Sequence, residues 1–298
     1  MSLAFAPAIP FLQIPDLVLI PQRFFGSFPH HPLLVKPFAI LIALSCQVGI
    51  SLTKIQAKRL GINERAAGSF ALYIVVIGFF VGHMFDVLFY HPDQIPNDPL
   101  CLLRSWESLS SVGGMIGGTI GGFIWKWRYK IPRVLPYGEA AVSGVPMAWV
   151  IGRAACAVAH DHPGIPSNLW FAVRYPDSGR LDLGLLEMVL LIPLAVAFLW
   201  LRRKPRPWGF FCSWICICYA PVRFVLDFLR APDVGFDSTG LERSGDMRYL
   251  GLTPAQWVCL VMLGGGLVLL RHTLRIAKRP LAFALPKATP ELLEADLE

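Results

Sequence analysis

The sequence predicts an all-α membrane protein: seven transmembrane helices with a small outer head built from the 4–5 and 6–7 connections. Three observations point there. Of the 298 residues, 55% are hydrophobic and only 16% are charged, which is too apolar for an ordinary soluble domain. The apolar stretches are long enough to cross a bilayer, which takes about 20 helical residues. Basic residues also gather in alternate connections, the pattern of a polytopic protein.

The spans fall at about 37–53, 68–90, 111–127, 137–157, 184–201, 208–229 and 252–271. The first is short between its polar edges, and Pro146 and two glycines interrupt the fourth. Basic clusters follow the first, third, fifth and seventh spans: Lys54, Lys58, Arg59 and Arg65; Lys126, Arg128, Lys130 and Arg133; Arg202, Arg203, Lys204 and Arg206; Arg271, Arg275, Lys278 and Arg279. The other connections are mixed or acidic, with Asp93, Asp98, Glu107, Asp177, Asp182, Asp233, Asp237 and Asp246. The positive-inside rule then places the N-terminus outside and the C-terminus in the cytoplasm. The net charge of +7 resides in those connections, so no nucleic-acid partner is expected.

The chain reads as one integral membrane domain over 1–298, with outer head segments at 158–183 and 230–251 and a cytoplasmic tail at 272–298. The N-terminal stretch lacks a basic n-region and carries several prolines, unlike a cleaved signal peptide. In the first head segment, LWFAVRYP alternates like a short strand and an Asp-Ser-Gly turn follows it. The acidic end, ATPELLEADLE, reads as a capped helix or a disordered tail. The seven cysteines have no disulfide or zinc spacing.

Charge inside a hydrophobic span costs roughly 2.5–3.5 kcal/mol on insertion scales, so each such residue asks for a role. Arg153, Glu187, Arg223, Asp227 and Arg230 all fall near the outer ends of their spans. Tyr219, Arg223 and Asp227 recur every four residues and share one stripe of a helix, with Arg230 three further on. Arginine suits phosphate, because its planar fork offers paired donors and stays charged. An internal Arg223–Asp227 pair and an Arg153 that snorkels to headgroups are the structural alternatives. Glu187 lies in LGLLEMVLL, about one turn below the surface, where an arginine would pair with it.

His160-Asp161-His162 follows the fourth span. Three readings stay open: metal ligation, acid–base or substrate contact, and a solvated turn. His83, Asp86 and Tyr90 end the second span, where a buried His–Asp hydrogen bond competes with a proton-carrying role for His83. Gly113, Gly117 and Gly121, with Gly114, Gly118 and Gly122, repeat every four residues and let helix backbones approach closely. Gly113 and Gly114, at the outer end, would also admit a lipid headgroup.

These motifs occur in an order that resembles the bacterial phosphatidylglycerol–prolipoprotein diacylglyceryl transferases, over about residues 30–271. VLFYHPDQIPNDPL is followed by Trp106 and Gly113-Gly114; Gly152-Arg153 is followed eleven residues after the arginine by Gly164. RLDLGLLE stands where the family has Arg-His-Pro-Ser-Gln-Leu-Tyr-Glu. YAPVRFVLDFLRAPD is close to the family's Tyr-x-x-x-Arg-Phe-x-x-Glu-Phe-x-Arg-x-Pro-Asp and is the most specific match.

The resemblance implies transfer of a diacylglyceryl group from phosphatidylglycerol to the lipobox cysteine of a prolipoprotein signal peptide, in the bacterial cytoplasmic (inner) membrane. A thioether forms and glycerol phosphate leaves, with no cofactor or metal. It implies that Arg153 and Arg223 neutralise the phosphate, that Tyr219, Asp227 and Glu187 support headgroup and arginines, and that Arg230 holds glycerol phosphate or guards the exit. Four positions depart from the family. Val112 stands for a histidine before Gly-Gly, Cys156 and Ala159 stand for two asparagines, and His83 replaces an arginine. His160 and His162, next to the lost asparagines, are then the candidate proton acceptors. The alternatives are a non-catalytic lipid-binding relative and a different membrane enzyme that uses the His-Asp-His cluster.

Overall fold

The computed structural model of the protein describes residues 7–20, 33–96, 98–103, 109–231, 235–236, 242–243 and 248–277. Trp106, Glu107, Asp233, Asp237, Asp246, Lys278, Arg279 and the acidic end lie outside the described residues. In chain order the elements are β1 (Ile9–Pro10), β2 (Leu17–Ile20), β3 (Leu33–Val35), α1 (Pro37–Arg59), α2 (Glu64–Phe89), α3 (Ser111–Arg128), α4 (Leu135–Val142), α5 (Val145–Ala159), β4 (Pro163–Pro166), β5 (Val173–Arg174), β6 (Gly179–Asp182), α6 (Leu183–Leu201), α7 (Phe210–Leu226), β7 (Gly235–Phe236), β8 (Glu242–Arg243) and α8 (Pro254–Ile276).

Among the described residues, five helices are long and apolar enough to cross a membrane: α1, α2, α6, α7 with its following turn, and α8. Counted as one bent span, α4 and α5 make six. The break at Ser143-Gly144 has a local cause. Pro146 has no N–H to return to the carbonyl of Val142, so the helical ladder is interrupted there. α3 has 18 residues, but with its six glycines and its basic last turn it is not among these candidate spans.

The chain divides into two compact units. One comprises residues 48–147, 193–227 and 246–298. There α2 and α3 pack backbone to backbone. A Cβ at Gly117 would stand 2.6 Å from the Val81 Cβ and 2.8 Å from the Ile77 carbonyl oxygen; one at Gly121 would stand 2.6 Å from the Tyr73 oxygen. The glycine repeat is therefore a contact surface, as small residues are in membrane helix pairs. At one end of this pair Trp125, Phe70, Tyr137 and Trp208 form an apolar cluster. Nearby, the buried Glu139 accepts from the amides of Phe211 (2.9 Å) and Cys212 (2.8 Å), which have no partner inside α7. Arg202 is buried too, and donates to Gln56 (3.0 Å) and the Leu52 carbonyl (2.6 Å).

The other unit comprises residues 1–47, 148–192 and 228–245. Its main feature is a four-stranded sheet in the order β1-β5-β6-β4. β1 runs parallel to β5, and β6 pairs antiparallel with both β5 and β4. The strand expected in LWFAVRYP is short, Val173–Arg174, and the expected turn joins it to β6. Pro163 pairs with Asp182, a register that returns the chain after α5 to the start of α6. Gly164 makes this possible: its Cα lies between the Leu181 and Leu229 carbonyls, and a Cβ would meet them at 2.7 and 2.8 Å.

Candidate functional site

In the sheet-bearing unit, α5 and α6 carry a buried ion pair. Arg153 Nε lies 2.9 Å from Glu187 Oε1, with side chains 3% and 2% exposed. The expected arginine partner of Glu187 is thus Arg153. Arg153 Nη1 also donates to Cys156 Sγ at 3.7 Å, one helical turn on.

The chain leaves α5 through His160, which has φ +51°. That left-handed conformation is unfavourable for a residue with a side chain, and such strain gathers at functional positions. It turns the ring toward the sheet. His160 Nδ1 lies 2.7 Å from Asp182 Oδ2, and the Tyr175 hydroxyl donates to the same oxygen at 3.0 Å. Asp182 Oδ1 accepts the amide of Leu185 at 2.9 Å and so caps the N-terminus of α6. Phe11 stacks on the imidazole, ring centroids 4.1 Å apart. Burial, then the neighbouring Asp182 charge, pushes the Tyr175 phenol well up, so Tyr175 stays a donor.

Asp161 and His162 form a second group, with His162 Nδ1 3.1 Å from Asp161 Oδ1. Burial alone would raise the Asp161 carboxyl. The charges of His162, Arg153 and Arg230 prevail and hold it below the usual carboxylate range. Cys156, Asp161 and His162 bring their ligand atoms within 4.8 Å of one another. Two guanidiniums act on that cluster, so a divalent cation would meet like charge there. Arg230 pairs its backbone with Gly164, which ties the chain after α7 to β4.

The other unit holds the second arginine. Arg223 Nη1 lies 2.9 Å from Asp227 Oδ1, one turn on along α7, with side chains 4% and 0% exposed. Asp227 is fixed in turn by the Thr253 hydroxyl. Thr253 also closes a capping box with Gln256 at the start of α8. Tyr219 is buried on the same stripe of α7.

His83 is buried and its Nε2 donates to the Cys101 carbonyl at 2.8 Å. Gly113 faces α2, where a Cβ would lie 2.4 Å from Phe85, and its amide donates to Ser110 Oγ at 3.2 Å. Among the described residues, a Cβ on Gly114 would meet only the Gly78 carbonyl, at 3.9 Å.

Sequence reasoning gave no site role to Asp182 or Tyr175. The separation of 22 residues between His160 and Asp182 follows no helical or metal-ligand spacing. The one local signal was an Asp immediately before the apolar run of α6, an N-cap pattern.

The fold and these charges define a polytopic helical membrane protein that keeps arginines, each matched to a carboxylate, inside its apolar segments. The family described as prolipoprotein diacylglyceryl transferase matches residues 27–272, and the chain belongs to that family of transferases. A phosphatidylglycerol–prolipoprotein diacylglyceryl transferase of Azoarcus sp. is 28% identical over 81% of this chain and 91% of its own length. A protein of the same name from Bordetella avium is 30% identical over 69% of this chain and 75% of its own length. One from Nitrosomonas europaea is 27% identical over 84% and 89%.

Proposed function

We propose that the protein transfers the diacylglyceryl group of phosphatidylglycerol to the lipobox cysteine of prolipoprotein signal peptides at the outer face of a bacterial inner membrane. The family match over residues 27–272 carries this reading. The relatives' names supply the donor and the acceptor. In this reading the chain crosses the membrane seven times. α3 is the additional span, the N-terminus is outside, and the small sheet belongs to the outer head.

Arg153 and Arg223 serve the donor's phosphate and the negative charge that grows on it as the glycerol phosphate departs. Glu187 and Asp227 keep each fork oriented, at 2.9 Å in both pairs. Tyr219, Arg230, His83 and Gly114 complete headgroup binding, and Gly113 sets the contact between α2 and α3. A thiolate is the competent nucleophile, and the His160–His162 segment supplies the proton acceptor.

The test is transfer of labelled diacylglyceryl from phosphatidylglycerol to a lipobox peptide by purified protein. Wild type forms the thioether, and Arg223→Ala loses more than about 100-fold in rate, as when a preorganised anion-stabilising donor is removed. A second reading, a lipid-binding relative without catalysis, draws on Val112, Cys156 and Ala159 at positions where the family has polar residues. A folded wild type that binds phosphatidylglycerol and forms no thioether would establish it.

A further inference from the structure

We propose that His160 is the base that takes the acceptor thiol's proton, and that Asp182 is a positioning residue that holds its ring, with Tyr175 fixing Asp182. This rests on the transferase reading above and names which group of that site moves the proton.

The geometry separates the two nitrogens of His160. Nδ1 is taken by Asp182 Oδ2 at 2.7 Å, and a carboxylate can only accept, so Nδ1 carries the hydrogen. Nε2 is then the lone-pair nitrogen of the neutral ring. It is buried and has no hydrogen-bond partner among the described residues. Leaving a buried polar atom unpaired is costly, and the left-handed backbone at His160 adds strain. A fold that keeps both has a use for the nitrogen. Asp182 is 2% exposed and has donors on both oxygens, so its carboxylate is fixed in place and stabilises a protonated ring. His162 is built differently: its Nδ1 faces Asp161, which already answers to Arg153 and Arg230.

The step balances without a further reactant. The acceptor S–H gives its proton to His160 Nε2. The sulfur attacks the terminal glycerol carbon of the diacylglyceryl group and forms the C–S bond. The C–O bond to the phosphate oxygen breaks, and glycerol phosphate leaves with the electron pair. The imidazolium then releases its proton to that phosphate or to water.

Asp182→Asn in the full chain is the discriminating variant. Its amide oxygen can still cap α6, while its NH₂ group faces His160 Nδ1 and forces the hydrogen onto Nε2. Activity is read in phosphatidylglycerol vesicles with a lipobox peptide, from pH 5.5 to 9.5. The charged and titratable groups around the ring are Asp182, Tyr175 and Asp161, with Arg180 acting on Tyr175.

The expected result is a fall in kcat of about 10²–10⁴-fold, the usual range for a general base, with KM for phosphatidylglycerol within about twofold. Activity of the variant should rise with pH up to the acceptor's own thiol pKa, near 8.5, because the peptide must ionise unaided. His160→Ala, which spares the helix cap, should lose as much, and the double variant should be no worse than His160→Ala alone. Retention of kcat within about threefold in either single variant would overturn the assignment while leaving the transferase reading intact. A wild type that binds phosphatidylglycerol yet transfers nothing would sink the reading itself.

Discussion

Glu187→Gln isolates the electrostatic role of one carboxylate with little change in shape. The amide oxygen can still accept from Arg153 Nε, so the 2.9 Å hydrogen bond survives and only the charge is lost. Opposite unit charges about 4 Å apart attract by about 4 kcal/mol at an effective dielectric near 20. Breaking a buried pair costs about 3–5 kcal/mol, because the remaining charge is left uncompensated. With the hydrogen bond kept, the expected loss is about 2–4 kcal/mol, or on the order of 5–10 °C in thermal midpoint. The loss should shrink when an anion replaces the carboxylate. Unfolding of detergent-purified protein is therefore compared with added phosphatidylglycerol and with phosphatidylcholine. The variant should gain more from phosphatidylglycerol than wild type does, since ligand binding adds directly to apparent stability. A midpoint within about 1 °C of wild type, or equal gains from the two lipids in the variant, would refute the argument that Arg153 is a phosphate fork balanced by Glu187.

Gly117→Leu drives a side chain into Val81 and the Ile77 carbonyl, so the α2–α3 pair must separate; a loss of about 1–3 kcal/mol or more is expected in chemical or thermal unfolding. Tyr175 gives an alkaline prediction. Its folded pKa is raised above the unfolded value near 10, so the folded state holds the proton longer. The stability it contributes is complete below about pH 10 and declines above it, at up to about 1.4 kcal/mol per pH unit. Tyr175→Phe should weaken the fold by about 1.5–3 kcal/mol near neutral pH through the lost hydrogen bond to Asp182, and should flatten that alkaline decline. Equal slopes above pH 10 in the two proteins would remove Tyr175 from the account.

The legible parts of this molecule are those governed by local periodicity. The i, i+4 spacing of Arg223 and Asp227 became an ion pair within one helix. The apolar run around Glu187 required a cation, and α5 supplies it through Arg153. The glycine repeat of α3 became a close helix contact. What stayed hidden depends on register. Nothing in HDHPGIP says that Pro163 will pair with Asp182, and only that pairing brings the carboxylate to His160. Phe11 lies still further away in sequence and reaches the imidazole because β1 adds to the sheet beside β5. The turn expected after the LWFAVRYP strand was readable from Asp-Ser-Gly, but the sheet it helps close was not.

Asp182 divides its two oxygens between two duties, one toward the amide that opens α6 and one toward His160 and Tyr175. Selection for a sturdier helix and selection for a better base therefore act on the same atoms. Glutamate would reach too far to serve the cap, alanine would forfeit both duties, and asparagine would preserve the first while inverting the second. A screen that scores only heat resistance would register asparagine as a weakened Tyr175 contact and nothing more, while a screen that scores only product would reject it. The position is a natural point at which the evolutionary histories of stability and turnover cannot be separated.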